Sequence, residues 1–301
     1  MSELLVILGP TASGKSELAM ALARKCAGEI LSMDSMQVYR GMNIGTAKPT
    51  MAERREVPHH LIDVVEPNEP FTAARFVELA DQVIANANRR GVRLVATGGT
   101  PLYYKTLFEG LFAGPSADPA IRDRLRVLPN ERLHERLAQV DPIAAGRIHV
   151  NDTRRLIRAL EVHESTGQTI SSLQTDWSSP QQRHPATWVG LSWDRETLNR
   201  RINARVKAMI AAGWLDETRE LLEKYGTLSQ TAGEATGYHE LIAHLRGEIT
   251  LDEAIEQIKI ATRQLARRQM KWFRRFPNVT WLEGDRAVEE NVEAALKAWG
   301  K

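Results

Sequence analysis

Gly9-Pro10-Thr11-Ala12-Ser13-Gly14-Lys15-Ser16 fits the pattern G-x-x-x-x-G-K-[ST], a loop whose backbone N–H groups cradle phosphate oxygens. Gly9 and Gly14 let the main chain come close to an anion, Lys15 supplies a point charge, and the Ser16 hydroxyl can ligate Mg²⁺. Asp34, followed by Ser35-Met36-Gln37, supplies a carboxylate across from that loop. Cations gather in two other places. Between Gln257 and Asn278 there are seven Lys/Arg residues and no Asp or Glu, with Arg263, Arg267, Lys271 and Arg274 spaced to share one helix face. Arg154, Arg155 and Arg158 sit at the start of another helical pattern, where the helix dipole alone would favour acids. Unmixed basic surfaces of this kind suit a polyanion, and two of them on two lobes predict a groove for a folded RNA.

These groups need elements to hold them. Leu4 to Leu8 is a short apolar run, a buried strand, and Ser16 to Lys25 has helical spacing, so the Gly-rich loop lies between strand and helix. Gly28 reads as a helix stop, and Glu29 to Met33 as a strand that delivers Asp34 to the ligand-binding edge of an α/β sheet. Val38 to Thr50 is a loop, Leu61 to Val65 a weak strand, and Thr72 caps a helix carrying Phe76, Leu79, Val83 and Ile84 on one face. Val92 to Thr97 is a strand ending in Gly98-Gly99, after which Thr100 and Pro101 open a helix closed by Gly110.

From Ala113 to about His184 strand character disappears, while Asp118-Pro119, Asn130, Asp141-Pro142 and Asp152 each open a helix. Asp176 to Pro185 reads as a return linker. Strand and helix then alternate again: Thr187–Ser192, a helix from Glu196 to Ala212, another from Trp214 to Tyr225, a helix capped by Thr250 running to about Phe276, and a last strand at Val279–Leu282. In the Thr250-capped helix Ile258, Leu265 and Trp272 lie opposite the basic stripe and are expected to pack inward. The fold class is therefore α/β: a P-loop-type open parallel sheet flanked by helices, built from residues 1–112 and 186–301, with an inserted all-helical domain at 113–185.

Composition bounds the setting. Forty basic and 38 acidic residues leave a net charge of +2, so only local clustering speaks for nucleic acid. The single cysteine, Cys26, excludes an intramolecular disulfide and suits a reducing compartment. No apolar run spans a bilayer, and no leader pattern precedes the first strand; a cytoplasmic, monomeric protein is expected. His59-His60 invites a metal reading, but adjacent histidines seldom face one ion, and a loop-packing role is preferred.

A phosphate-loop ATPase or GTPase pairs its loop with an apolar strand ending in Asp; here the corresponding strand ends in Gly-Gly, which argues against a motor or switch. A small-molecule or nucleoside kinase is one alternative, because such enzymes also pair the loop with a nearby carboxylate, here Asp34. An RNA-binding protein that uses the loop only as a nucleotide-gated scaffold is another.

The ordered set of motifs resembles one family, the tRNA dimethylallyltransferases or isopentenyltransferases, over nearly the whole chain. The residues that carry it are Gly9 to Ser16, Asp34 to Arg40, Gly45-Thr46-Ala47-Lys48-Pro49, Pro58-His59-His60, Gly98 to Tyr103, Asn151 to Arg155, Gly237-Tyr238 and Thr262 to Gln269. The resemblance implies transfer of a dimethylallyl group from dimethylallyl diphosphate to N6 of the tRNA adenosine at position 37, 3′ of the anticodon, with Mg²⁺. It implies that Thr11 to Ser16 and Arg205 hold the diphosphate, and that Asp34 orients the adenine amine and takes its proton. It further implies tRNA contacts by Asp34, Ser35, Met36 and Gln37, by Arg154, Arg155, Leu156, Ile157 and Arg158, and by Glu234, Ala235, Thr236, Gly237, Tyr238 and His239. Thr100 and Arg122 would lie beside the bound nucleotide. The partners so implied are the tRNA anticodon stem-loop and dimethylallyl diphosphate.

Overall fold

The computed structural model describes residues 4–110, 114–115, 117–173 and 183–300. Six strands form one sheet: β1 (Leu4–Leu8), β2 (Glu29–Ser32), β3 (His59–His60), β4 (Leu94–Thr97), β5 (Ala186–Ser192) and β6 (Val279–Glu283). Their order is β3-β2-β4-β1-β5-β6 and every pairing is parallel. Parallel strands need crossovers on both faces, so the inner strands β1, β2 and β4 are buried at every position rather than alternating. β1, Leu-Leu-Val-Ile-Leu, is buried at every position. Leu4, Val6 and Leu8 enter one core with α3 (Ala73–Arg90), α4 (Pro101–Glu109), α13 (Tyr238–Leu245) and α14 (Leu251–Phe273). Leu5 and Ile7 enter the other, against α1 (Lys15–Cys26) and α15 (Val288–Ala298).

The chain divides into two units, Met1–Phe108 with Arg183–Lys301, and Glu109–Gln182. The expected boundary at 112/113, and the greater part of the expected linker at 176–185, lie outside the described residues. Chain exit and return are stitched together: Arg183 N–H donates to the Phe108 carbonyl at 2.9 Å, and Arg183 and His184 both pair with Asp81 of α3. The second unit holds α5 (Pro119–Arg126), α6 (Asn130–Val140), α7 (Pro142–Ala145), α8 (Thr153–Thr166) and α9 (Ile170–Leu173) around its own core of Leu125, Leu133, Leu137, Leu156 and Leu160. Asp118, Asp141 and Asp152 cap α5, α7 and α8 with their side chains, as expected. Pro129, not Asn130, is the N-cap of α6.

Several local expectations are corrected. Residues 61–65 are not a strand, because Leu61 (φ 62°) and Asp63 (φ 55°) adopt left-handed backbone; the strand is the shorter β3 just before them. Gly28 does not supply the left-handed turn after α1; Ala27 does (φ 47°). Gly28 is instead needed for close approach, since a Cβ there would come within 2.9 Å of the Arg93 carbonyl oxygen. An unforeseen helix, α2 (Met51–Glu56), starts at a Thr50–Glu53 capping box where the expected loop ends. The inner face of α14 is Ala254, Ile258, Ala266, Gln269 and Phe273, with Leu265 and Trp272 only half-buried. A strict seven-residue stripe drifts around a straight helix, so 258, 265 and 272 cannot all face the core. The structure also buries Lys259, one of the seven counted cations, where it pairs with Glu256. The remaining helices are α10 (Arg195–Ala211), α11 (Trp214–Tyr225) and α12 (Gln230–Gly233).

No helix among the described residues is long and apolar enough to cross a membrane. His59 and His60 do not converge on an ion: His59 Nδ1 bonds the Val57 carbonyl, and His60 Nε2 bonds Glu29 at 2.7 Å.

Candidate active site

Because β2, β4, β1 and β5 are consecutive in the sheet, the segments leaving their C-terminal ends line one edge. In spatial order these are Asp34, Gly98-Gly99-Thr100, the phosphate loop, and Trp193. With strands spaced by about 5 Å, Asp34 and the loop lie roughly 10 Å apart at the backbone, within reach of side chains and a small substrate between them.

The phosphate loop is held from behind. Arg201 of α10 donates through Nε to the Ala12 carbonyl at 2.9 Å, and Trp193 Nε1 donates to the Ser13 carbonyl at 2.9 Å. The Arg201 guanidinium lies 4.4 Å from the centroid of the Trp193 ring. Ala12 and Gly14 both have positive φ, 64° and 89°, the curled backbone that turns successive N–H groups one way. Gly9 leaves room for Ser13, whose Oγ a Cβ at position 9 would approach to 2.5 Å. Gly14 is the N-cap of α1 and has no side chain to satisfy the first-turn N–H groups, which leaves them for an anion. Thr11 is different: its N–H donates to the Gln269 side chain at 2.8 Å.

Lys15 Nζ donates to the Pro10 carbonyl at 3.2 Å. Burial first, and then the nearby Arg205, lower its pKa to about 8, against the opposing effect of Asp34. Burial likewise lowers the Arg205 pKa, again opposed by Asp34. Two cations therefore share a half-desolvated place, with one carboxylate as counter-charge. Such a pair is stabilised by a multiply charged anion. Ser16 is exposed in the first turn of α1.

Asp34 sits beyond β2. Its Oδ1 accepts the Met36 N–H at 2.9 Å, which fixes the carboxylate on its own turn. Ser35 N–H donates to Thr100 Oγ1 at 2.9 Å, and the two hydroxyls are 3.0 Å apart. The Thr100 hydroxyl thus holds the Asp34–Ser35 turn. Gly98 is required beside it, because a Cβ there would overlap the Met33 backbone. Tyr103 and Tyr104 of α4 are buried nearby; burial first, and Asp34 second, raise their pKa values.

The loop after Asp34 is stapled at several points. Gln37 accepts from Ser32 Oγ at 2.9 Å and donates to the Thr46 and Ala47 carbonyls. The Lys48 ammonium, buried, donates to the Tyr39 carbonyl and to Asp63, which also holds Arg54. Glu217 of α11 accepts the N–H groups of Asn43, Ile44 and Gly45. The Tyr238 hydroxyl donates to the same carboxylate at 2.6 Å. Gly45 and Gly237 face Trp214 so closely that a Cβ on either would overlap the indole.

Placement divides the residues expected to meet RNA. Asp34, Ser35, Met36 and Gln37 are half-buried on the edge described. Leu156 and Ile157 are buried in the core of the helical unit, and Ala235 and Tyr238 in the core of the first, so these side chains pack rather than face solvent. Arg154 and Arg155 are exposed, Arg155 pairing with the cap Asp152. Arg122 and Arg158 converge on the fully buried carboxylate of Glu161 at 2.8 and 2.6 Å. Glu234 and His239 are exposed and Thr236 half-buried. On α14 Arg267 is exposed, while Arg263 donates to Asn203 at 2.7 Å. Sequence reasoning missed Arg201, Trp193, Glu217, Glu161 and Gln269. Of these, only Gln269 carried a signal, as the last residue of the Thr262–Gln269 motif.

Among the described residues no cluster of three or more His, Cys, Asp or Glu could hold a metal ion. An Mg²⁺ carried on a diphosphate needs less: it keeps waters and phosphate oxygens and takes one or two protein oxygens, which the exposed Ser16 hydroxyl fits.

A family model described as IPP transferase matches residues 37–276. A tRNA dimethylallyltransferase of Geobacter metallireducens is 48% identical over 286 residues, covering 94% of this chain and 93% of its own. One from Geobacter sulfurreducens is 45% identical, covering 99% of this chain and 97% of its own. Among solved structures, a tRNA isopentenylpyrophosphate transferase of Bacillus halodurans is 37% identical with a TM-score of 0.74, over 100% of this chain and 97% of that one. A eukaryotic dimethylallyltransferase acting on tRNA is 29% identical with a TM-score of 0.82, over 99% of this chain and 78% of that one.

Proposed function

This chain belongs to the IPP transferase family of tRNA dimethylallyltransferases, and from that premise we propose the reaction its site performs. The protein transfers a dimethylallyl group from dimethylallyl diphosphate to N6 of the tRNA adenosine at position 37, releasing diphosphate. One observation carries the reading at the level of chemistry: the phosphate loop leaves the first-turn N–H groups of α1 without a side-chain cap, beside Lys15, which feels the charges of both Arg205 and Asp34. β4, which lies between β2 leading to Asp34 and β1 leading to the phosphate loop, is followed by Gly98-Gly99-Thr100 rather than by a metal-organising Asp. That is the arrangement for ionising a leaving diphosphate beside a nucleophile, with no attacking water to position.

In the transfer, the bond between C1 of the allyl group and the diphosphate oxygen breaks while the bond from C1 to N6 forms. Negative charge grows on the diphosphate, where the first-turn N–H groups of α1, Lys15 and Arg205 receive it. Mg²⁺, held by Ser16 and the diphosphate, would neutralise part of the same charge. The adenine amine is a weak base because its lone pair is delocalised, so Asp34 serves first to orient it. Asp34 then takes the proton as the new C–N bond forms. Asp34 Oδ1 is engaged by Met36, which leaves Oδ2 for the amine. The adenine must leave the anticodon-loop stack to reach this edge. Ser35, Met36, Gln37 and Thr100 would receive it, with Arg154, Arg155, Arg158 and Arg122 of the helical unit and Arg263 and Arg267 of α14 on the phosphates. Leu156 and Ile157 in the helical unit, and Ala235, Gly237 and Tyr238 in the first unit, are buried and would each support the exposed residues of their own unit, leaving Glu234, Thr236 and His239 for contact with RNA.

Incubation with dimethylallyl diphosphate carrying a carbon label, together with unmodified tRNA, tests the reading. Label is expected in RNA with release of one diphosphate per transfer. Absence of label in RNA, with ATP consumed when no RNA is present, would support a kinase instead.

A further inference from the structure

Gln269 is buried to 3% exposure, on the inner face of a helix whose neighbouring side chains Arg267, Arg268 and Lys271 are exposed. A buried amide is costly unless both ends are bonded. Here both are. Its Oε1 accepts the Thr11 N–H at 2.8 Å, and its Nε2 donates to the Gly99 carbonyl at 2.7 Å. A Cβ on Gly99 would lie 2.9 Å from that nitrogen and 3.0 Å from Asp34 Oδ2, so Gln269 and Asp34 flank the same glycine.

β1 and β4 are paired only as far as Ile7 and Thr97. Past that point the phosphate loop and the Gly98-Gly99 turn leave the sheet, and backbone pairing no longer fixes their separation. Gln269 joins them there. One end must accept and the other donate, which a primary amide does and a carboxylate, an ammonium or an apolar side chain does not.

We propose that Gln269 is a positioning residue for the transfer, setting the distance between the diphosphate cradle and Asp34; the proposal rests on the dimethylallyl-transfer reading above. It touches neither substrate. It acts through Thr11 on the donor side and through Gly99 on the acceptor side. Misplacement between reacting groups of this kind is felt in the chemical step and in donor binding more than in the affinity for a large RNA.

The test uses the full chain with Q269M, which keeps the volume and loses both hydrogen bonds, and Q269E. Inorganic diphosphate binding is measured by calorimetry without tRNA, and kcat and KM are measured for each substrate. For Q269M, diphosphate is expected to bind about tenfold more weakly and kcat/KM for dimethylallyl diphosphate to fall about thirtyfold, with KM for tRNA within about twofold. A protonated carboxyl both accepts and donates. The Q269E deficit relative to wild type should therefore shrink as pH falls from about 8 to about 6, whereas that of Q269M should not. Wild-type diphosphate affinity and kcat/KM in Q269M would overturn the proposal. So would a loss shared equally by the KM for tRNA, or a Q269E deficit indifferent to pH. If Q269M does not fold, the pH dependence of Q269E decides. If wild type binds diphosphate and transfers nothing, the transfer reading fails, while the diphosphate affinities still report whether Gln269 sets the loop.

Discussion

The Tyr238 hydroxyl donates to Glu217 at 2.6 Å, and the same carboxylate receives three backbone N–H groups from Asn43 to Gly45. The Gly237-Tyr238 motif therefore acts on the site through the loop that orients Gln37. Glu217→Ala leaves three N–H groups and a hydroxyl without their acceptor, and should lower stability by about 2–3 kcal/mol. It should also weaken tRNA binding several-fold, with KM for dimethylallyl diphosphate nearly unchanged. Tyr238→Phe, losing one bond, should cost about 1 kcal/mol. Denaturant melts and tRNA binding curves check both.

Gly98→Ala places a methyl group on the Met33 backbone, one residue before Asp34. Neither strand end can yield without moving the carboxylate or the turn. We expect a loss of about 2 kcal/mol in stability or more, and a kcat reduced by at least about a hundredfold. Gly91→Ala is the control, since it has nothing within 4 Å although its φ is 66°; it should cost only the backbone strain and leave kcat intact.

Lys15, with its pKa lowered to about 8, gives a pH dependence with a definite sign. The free protein carries the ammonium below that value and loses it above. A bound anion favours the charged form, so binding takes up a proton once the free site has lost one. The Lys15 contribution to diphosphate affinity, after correction for the titration of diphosphate itself, should be constant below about pH 8 and fall by up to tenfold per unit above it. Calorimetry in two buffers of different ionisation enthalpy reads the proton uptake directly.

In the helical unit, Glu161 is a fully buried carboxylate held by Arg122, Arg158 and the Asp118 N–H. Its pKa is lowered by those partners against the opposing effect of burial. Glu161→Ala should cost about 3 kcal/mol, because two guanidinium groups lose their shared counter-ion. If the two arginines serve RNA phosphates, the same change should raise the Kd for tRNA and reduce its salt slope. A change in melting alone would assign the cluster to stability.

What could be read in the sequence follows the range over which each feature is determined. The phosphate loop, the strand before it and the helix after it lie within about twenty residues, and local spacing specified them. Asp34 was placed by the same rule, at the end of a buried strand. The Asp caps of α5, α7 and α8 are local too. The failures are of two kinds. Ala27 and Leu61 are of types that seldom adopt left-handed backbone, so nothing in their type announced the turn. Gln269, Arg201 and Glu217 act on loop partners between 170 and 258 positions away, and no periodicity encodes such a pairing. Tyr238 and Leu156 belong to motifs that suggested contact with RNA. Their burial shows that a motif also includes the residues that hold its exposed members in place.

We propose Asp34 as the group that orients and deprotonates the adenine amine opposite the diphosphate cradle. Its most direct test is a single-turnover experiment with enzyme in excess over unmodified tRNA, digesting the RNA to nucleosides and following N6-(dimethylallyl)adenosine by mass. Wild type should form it, and Asp34→Ala should slow its formation by about a hundredfold or more, with tRNA and diphosphate affinities within about threefold of wild type. Formation at the wild-type rate in Asp34→Ala would contradict the account.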